Sequence, residues 1–223
     1  MSEFPSIDDP PFLFFPGFEA FYLISIHFST DAALRSATAL SKWIELYASD
    51  DEEFPPQLPL NDAQNVLNQA ASVSRFFWPT GKKYQERGER LRAAFDIHDA
   101  SPLKDRKLRN MVEHFDEYLD DYLRANFAGQ YVPDYFGPSP PSDRGPLKLF
   151  RAYFTDVGHF EIFGESYAIT PLVEALIELH YKVSECLNSG SRFPRCTNEQ
   201  PTENNKGCCE VDAIAETSSA PFS

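Results

Sequence analysis

Apolar side chains recur every three to four residues along most of the chain, and that spacing predicts helices. From Glu19 to Tyr47 the set Phe21, Leu23, Ile24, Ile26 and Phe28, followed by Ala33, Leu34, Ala37, Leu40, Ile44 and Leu46, runs without Pro or Gly. It predicts one long helix, or two parted near Ser29-Thr30-Asp31. A second helix is expected through Val66, Leu67, Ala70, Val73, Phe76 and Phe77, capped by Asn61 or Asp62 and stopped by Trp78-Pro79-Thr80-Gly81. A third, from Lys82 to Ile97, turns Tyr84, Leu91, Ala94 and Phe95 inward and Arg87, Arg90 and Arg92 outward. The cleanest stripe is Leu108, Met111, Val112, Phe115, Leu119, Tyr122 and Leu123, which predicts a single helix from about Lys104 to Phe127.

The pattern then changes. Residues from Gly129 to Gly145 are rich in Pro, Gly and Asp and read as a long loop, as does Asp50-Asp51-Glu52-Glu53 with Pro55, Pro56 and Pro59. Leu147 to Phe154 and His159 to Ile169 are rich in β-branched and aromatic residues, broken at Thr155-Asp156-Val157-Gly158 and Gly164-Glu165, and predict a small antiparallel meander of two or three strands. Thr170 as cap and Pro171 at the first position open a last helix carried by Leu172, Val173, Leu176, Ile177, Leu179, Tyr181 and Val183. The expected fold is mainly α: an up-and-down bundle of four to five helices with the meander inserted before the last. The expected organisation is an N-terminal arm over residues 1–18, a helical domain over 19–187 with its β insertion at 147–169, and a disordered tail over 188–223, where Ser, Asn, Thr, Glu, Pro and Gly dominate.

With 42% hydrophobic and 14% aromatic residues, the 223-residue chain has enough apolar surface to build a core without disulfides or metal. Its formal charge of −14 repels polyphosphates at long range, so contact with RNA would need a local basic site, and the densest candidate is the arginine-rich third helix. No apolar run approaches the ~18 residues of a membrane span and the start has no basic leader, so the expected location is the cytoplasm. Cys186, Cys196, Cys208 and Cys209 match neither a zinc site nor a disulfide framework. No Gly-rich phosphate loop or nucleophile elbow is present, and no cofactor or metal is expected.

One segment carries pointed chemistry: Arg109-Asn110-Met111-Val112-Glu113-His114. Asn110 and His114 are four apart and stack on one flank of a helix, while Arg109 lies about 140° round from His114. A histidine titrating near neutrality can take the proton of a ribose 2′-hydroxyl, and a guanidinium can hold a scissile phosphate by two hydrogen bonds. In a straight helix the two groups do not aim at one ligand, so a long Arg side chain, a bent helix or a second copy across a dimer axis has to close the gap.

This motif, with Ser74-Arg75-Phe76-Phe77-Trp78-Pro79, Arg87-Gly88-Glu89-Arg90-Leu91-Arg92 and the continuation His114-Phe115-Asp116, resembles uncharacterised bacterial members of the HEPN helical-bundle proteins, over about residues 19–127. The resemblance implies a metal-independent endoribonuclease of toxin or defence type in which Arg109 binds phosphate, Asn110 orients the site and His114 acts as general acid and base. It also implies a homodimer whose two motifs share a cleft, with RNA or an antitoxin-like protein as partner. Arg87 and Arg90 are candidates for holding the substrate backbone.

A different class of reading stands beside it: a non-catalytic interaction or ligand-binding module. There Arg109 pairs with Glu113 one turn on, and His114 hydrogen-bonds at a helix–helix seam. Glu113, Asp116, Glu117, Asp120 and Asp121 crowd the same helix with charge that repels RNA. His27 lies in an apolar helix and reads as a satisfied core or seam residue, while His98, His159 and His180 have no ligand partners at metal spacing.

Overall fold

In a computed structural model, residues 16–49, 53–126, 129–140 and 147–194 are described. The first expected stripe forms one unbroken helix, α1 (Pro16–Ser49). The Ser29-Thr30-Asp31 stretch does not part it, because the fully buried Thr30 hydroxyl donates to the His27 carbonyl at 3.0 Å and so is satisfied inside the helix. α2 (Gln57–Phe77) starts five residues earlier than an Asn61 cap would allow and has no side-chain cap. Pro59 sits in its first turn, where the missing N–H has no intrahelical partner to lose.

The next two expected helices are each divided. Lys82–Tyr84 forms a single 3₁₀ turn, and only Gln85–Phe95 is α3. The stripe from Lys104 to Phe127 becomes another 3₁₀ turn at Pro102–Lys104, then α4 (Arg106–Glu113) and α5 (Phe115–Ala125), which meet at His114. Asp105 caps α4 by accepting from the Lys107 amide at 2.7 Å, a start signal hidden inside the apolar stripe.

A four-stranded sheet precedes the last helix, in the order β1 (Gln130–Gly137), β2 (Leu147–Phe154), β3 (His159–Ile162) and β4 (Glu165–Ala168). It is mixed, not an antiparallel meander: β1 runs parallel to β2, and the other pairs are antiparallel. β1 falls in the stretch expected to be loop. Pro133 argued against a strand there, but β1 is an edge, and Pro133 is skipped in the ladder between the Val132–Leu149 and Asp134–Arg151 pairs. The β3–β4 hairpin turns on Phe163 (φ 55°) and Gly164 (φ 78°), the left-handed pair that a two-residue hairpin needs. An aromatic residue pays strain for that conformation, and its ring offsets it by packing against Phe115 at 4.8 Å and Phe150 at 5.4 Å.

α6 (Ile169–Asn188) begins directly from β4, so Thr170 and Pro171 lie inside its first turn and not at the cap. Among the described residues, six α-helices thus stand where four to five were expected. α2 is the axis of the packing: α1, α3, α4, α6 and the sheet all lie against it, and α1 also packs along α6. Leu60, Val66, Leu67, Ala70, Val73 and Phe77 of α2 are fully buried, joined by Leu23 and Ile26 of α1 and by Leu176 and Val183 of α6. No helix among the described residues is long and apolar enough to cross a membrane.

Beyond α6 the chain folds back. Arg192 donates twice to the buried Glu19 carboxylate, at 2.6 and 3.1 Å, the Phe193 amide donates to it at 3.0 Å, and the Phe193 ring packs on Tyr22 and Phe95. The start of the stretch expected to be tail is therefore fastened to the bundle. The remainder of the tail, with Cys196, Cys208 and Cys209, and residues 1–15 of the arm lie outside the described residues. Cys186 is a buried free thiol whose pKa burial raises.

Candidate functional site

The Arg109–His114 segment is best understood from the helix it leans on. The last carbonyls of any helix lack intrahelical donors. In α2, the Trp78 amide still reaches the Ser74 carbonyl at 2.8 Å. The next amide in line, which would serve Arg75, belongs to Pro79 and does not exist. Side chains supply the missing donors. Arg87 donates to the Arg75 carbonyl at 3.0 Å, Arg92 to the Phe77 carbonyl, Arg109 to the Trp78 carbonyl, and Gln85 to the Pro79 carbonyl at 2.8 Å. Three guanidinium groups converge on the negative end of the α2 dipole, where cations are most stabilising. The Arg92 guanidinium also lies over the Trp78 ring at 5.6 Å.

Gly88 makes this approach possible. A Cβ there would stand 2.5 Å from the Phe77 carbonyl oxygen and 2.6 Å from Pro79 Cδ, so only glycine lets α3 press onto the end of α2.

The five candidate residues consequently have divergent surroundings. Arg109 is 8% exposed and faces α2. Burial lowers its pKa from the ordinary arginine range, with the Glu113 carboxylate pulling the other way. Its expected ion-pair partner is engaged elsewhere, since Glu113 bonds Arg75 at 2.9 Å. Arg87 is half-buried and lies over the Tyr84 ring at 5.3 Å, and Arg90 pairs with Glu86 on the surface. The Nε atoms of Arg87 and Arg109 and the Ser74 hydroxyl are buried without a protein hydrogen-bond partner.

Asn110 is half-buried, and its carbonyl accepts from the His114 amide at 2.9 Å. His114 itself sits at the break between α4 and α5 with φ −120° and ψ 40°. Its side chain is 52% exposed, with Nδ1 3.5 Å from Glu117, and it occupies no helix–helix seam. Within one chain, Arg109 thus points inward to a backbone carbonyl while His114 faces solvent.

Sequence reasoning treated Arg92 only as outward charge and did not weigh Gln85, yet both belong to this cluster. The signal was Pro79 directly after an apolar helical run, which announces a helix end short of a donor. Compared with known proteins, the chain matches no family model, no curated protein and no solved structure.

Proposed function

We propose that this chain is a non-catalytic interaction module built on a HEPN-like helical bundle. The observation that carries the reading is Arg109: a guanidinium turned away from solvent and committed to the Trp78 carbonyl serves the fold, not a phosphate. The arginines offered as an RNA-binding strip are committed likewise, Arg87 to a carbonyl and Arg90 to Glu86. Long-range repulsion from a chain of charge −14 points the same way.

A surface for partners lies elsewhere. Phe21, Ile24 and Phe28 are 68%, 55% and 69% exposed on α1, and Ile177 and Tyr181 are 52% and 63% exposed on α6. Their spacings of three and four residues line each set along one helix face. Phe28 and Tyr181 each follow the histidine that forms the α1–α6 seam, where the His27 and His180 rings lie 4.6 Å apart. Exposed apolar stripes side by side on packed helices mark contact surfaces, and a second copy of the chain is the occupant we propose.

Two measurements test this. Total RNA incubated with wild type, Arg109→Lys and His114→Ala in EDTA is expected to stay intact in every sample; cleavage by wild type that His114→Ala loses would restore the nuclease. In sedimentation, wild type is expected to self-associate and Phe28→Glu to remain monomeric, whereas a wild type that is monomeric at about 100 μM removes the proposed dimer face.

A further inference from the structure

At the end of the molecule away from Arg109, the last turn of α1, the entry to α2 and strand β1 line a half-open pocket of about 400 Å³. Leu46, Tyr47, Glu53, Phe54, Tyr135 and Phe136 line it. Tyr47 stands at 84° to Phe136 with centroids 5.5 Å apart, and Phe54 stands at 68° to it at 5.8 Å. Both rings stand steeply to Phe136, and the three form an aromatic corner.

A second layer holds these rings in place. The buried Tyr153 stacks on Phe136 at 5.5 Å and 17°. Trp43 rests on Phe54 at 5.1 Å, with its indole N–H donating to Asp62 at 3.0 Å. Gly137 closes the corner: a Cβ would stand 3.0 Å from the Tyr47 hydroxyl and 3.1 Å from the Tyr135 hydroxyl, so glycine lets both phenols approach. The Tyr135 hydroxyl donates to the Pro138 carbonyl at 2.7 Å.

The charges are also definite. Asp134 borders the cavity, but Arg151 at 2.7 Å and Gln57 at 2.9 Å take up its carboxylate, so Glu53 supplies the net negative charge. Ring faces carry negative potential, and a carboxylate beside an aromatic corner favours a cation. A metal ion would need several converging oxygen ligands, which the described residues of this wall do not offer. A bare ammonium would give up strong hydration for few acceptors. An alkylated ammonium loses little hydration and buries its methyl groups against the rings, and the volume suits a small head group.

We propose that this cavity binds an alkylated ammonium group, carried either by a small amine or by a methylated lysine side chain. The proposal is independent of the α1–α6 contact face. The test titrates the full chain with choline and, in parallel, with its neutral carbon isostere 3,3-dimethylbutan-1-ol, following aromatic NMR signals. A further pair of titrations uses a short peptide with and without trimethylated lysine, which separates the two sources.

Saturable binding of choline or of the methylated peptide is expected, about tenfold tighter than the neutral isostere or unmodified peptide. Tyr47→Ala is expected to weaken it by about tenfold and Glu53→Gln by a few fold, while Tyr84→Ala, which removes a surface ring beside Lys83 and Arg87, leaves it unchanged. Equal affinity for cation and isostere, or no saturation by either cation up to about 10 mM, overturns the proposal; both are read on wild type and need no variant to fold.

Discussion

The end of α2 and the end of α4 lie side by side in the same candidate site, and they are finished in opposite ways. α2 runs into Pro79, which lacks the amide that would serve the Arg75 carbonyl; Arg87 replaces it, and Arg92, Arg109 and Gln85 donate to the Phe77, Trp78 and Pro79 carbonyls beyond. α4 runs into His114, whose amide reaches the Asn110 carbonyl at 2.9 Å as an ordinary cap bond, while the Tyr118 amide reaches the His114 carbonyl at 3.0 Å to open α5. No side-chain donor to this second end is seen among the described residues, and the imidazole stays outside. Whether a polar side chain is drawn in depends on which backbone acceptors nearby have lost their amides, and the helical wheel alone does not contain that information.

The comparison breaks first at Gly88. If α3 is pressed onto the end of α2, Gly88→Ala pushes a methyl into the Phe77 carbonyl and Pro79 and should destabilise by about 2–3 kcal/mol in urea unfolding. In an uncrowded helix the same change stabilises by about 1 kcal/mol, so the sign alone decides. Arg109→Met comes next. It keeps the apolar stem and strips the donors, leaving the Trp78 carbonyl buried and unpaired, and should cost about 2 kcal/mol. Arg109→Lys should recover part of that loss, because an ammonium can still donate. A neutral result for Arg109→Met would mean that the clasp carries no stability.

These two sites also show which features the chain made legible. The helical stripes of α1, α2 and α6 were readable because periodic burial requires periodic apolar residues. The division of α4 from α5 was not, since a bend at His114 leaves Leu108, Met111, Phe115 and Tyr122 on one side and the stripe looks continuous. β1 was hidden by Pro133 and by a parallel pairing with β2 that adjacent strands rarely adopt. In the site, the Arg109–Glu113 spacing suggested a local ion pair, but the three-dimensional neighbour Arg75 takes Glu113, and Arg109 goes to the Trp78 carbonyl at the end of α2. Sequence spacing ranks neighbours on one helix and is silent about neighbours on another.

The α1–α6 seam provides a pH-dependent contrast. The Thr30 hydroxyl has a single proton, which it donates to the His27 carbonyl, so in its 2.9 Å contact with His180 it accepts from Nδ1–H. Burial first, and then His27, lower the His180 pKa below the ordinary 6.5, while Asp31 opposes the shift. A depressed histidine pKa means that the unfolded chain takes the proton more readily. Stability from this residue is therefore complete above about pH 6.5 and declines as the pH falls from there toward the folded value. His180→Asn, which retains a donor for Thr30, should flatten the melting temperature between pH 7 and 5 relative to wild type. Equal slopes for the two proteins would refute this assignment.

The smallest effect is expected at the residue with the most suggestive chemistry. His114 is 52% exposed, and its side chain meets only Glu117 at 3.5 Å, an attraction that exists only for protonated imidazole and is weak at a surface. His114→Ala should therefore change unfolding stability by less than about 0.5 kcal/mol, in contrast to Arg109→Met five residues away. A loss as large as that of Arg109 would show that the imidazole holds the α4–α5 junction together, and the division between an end clasped by side chains and an end without them would fail. Near-equal stability with wild type keeps that division and makes His114→Ala a clean probe, since any change in RNA cleavage or self-association could then be read without correction for unfolding.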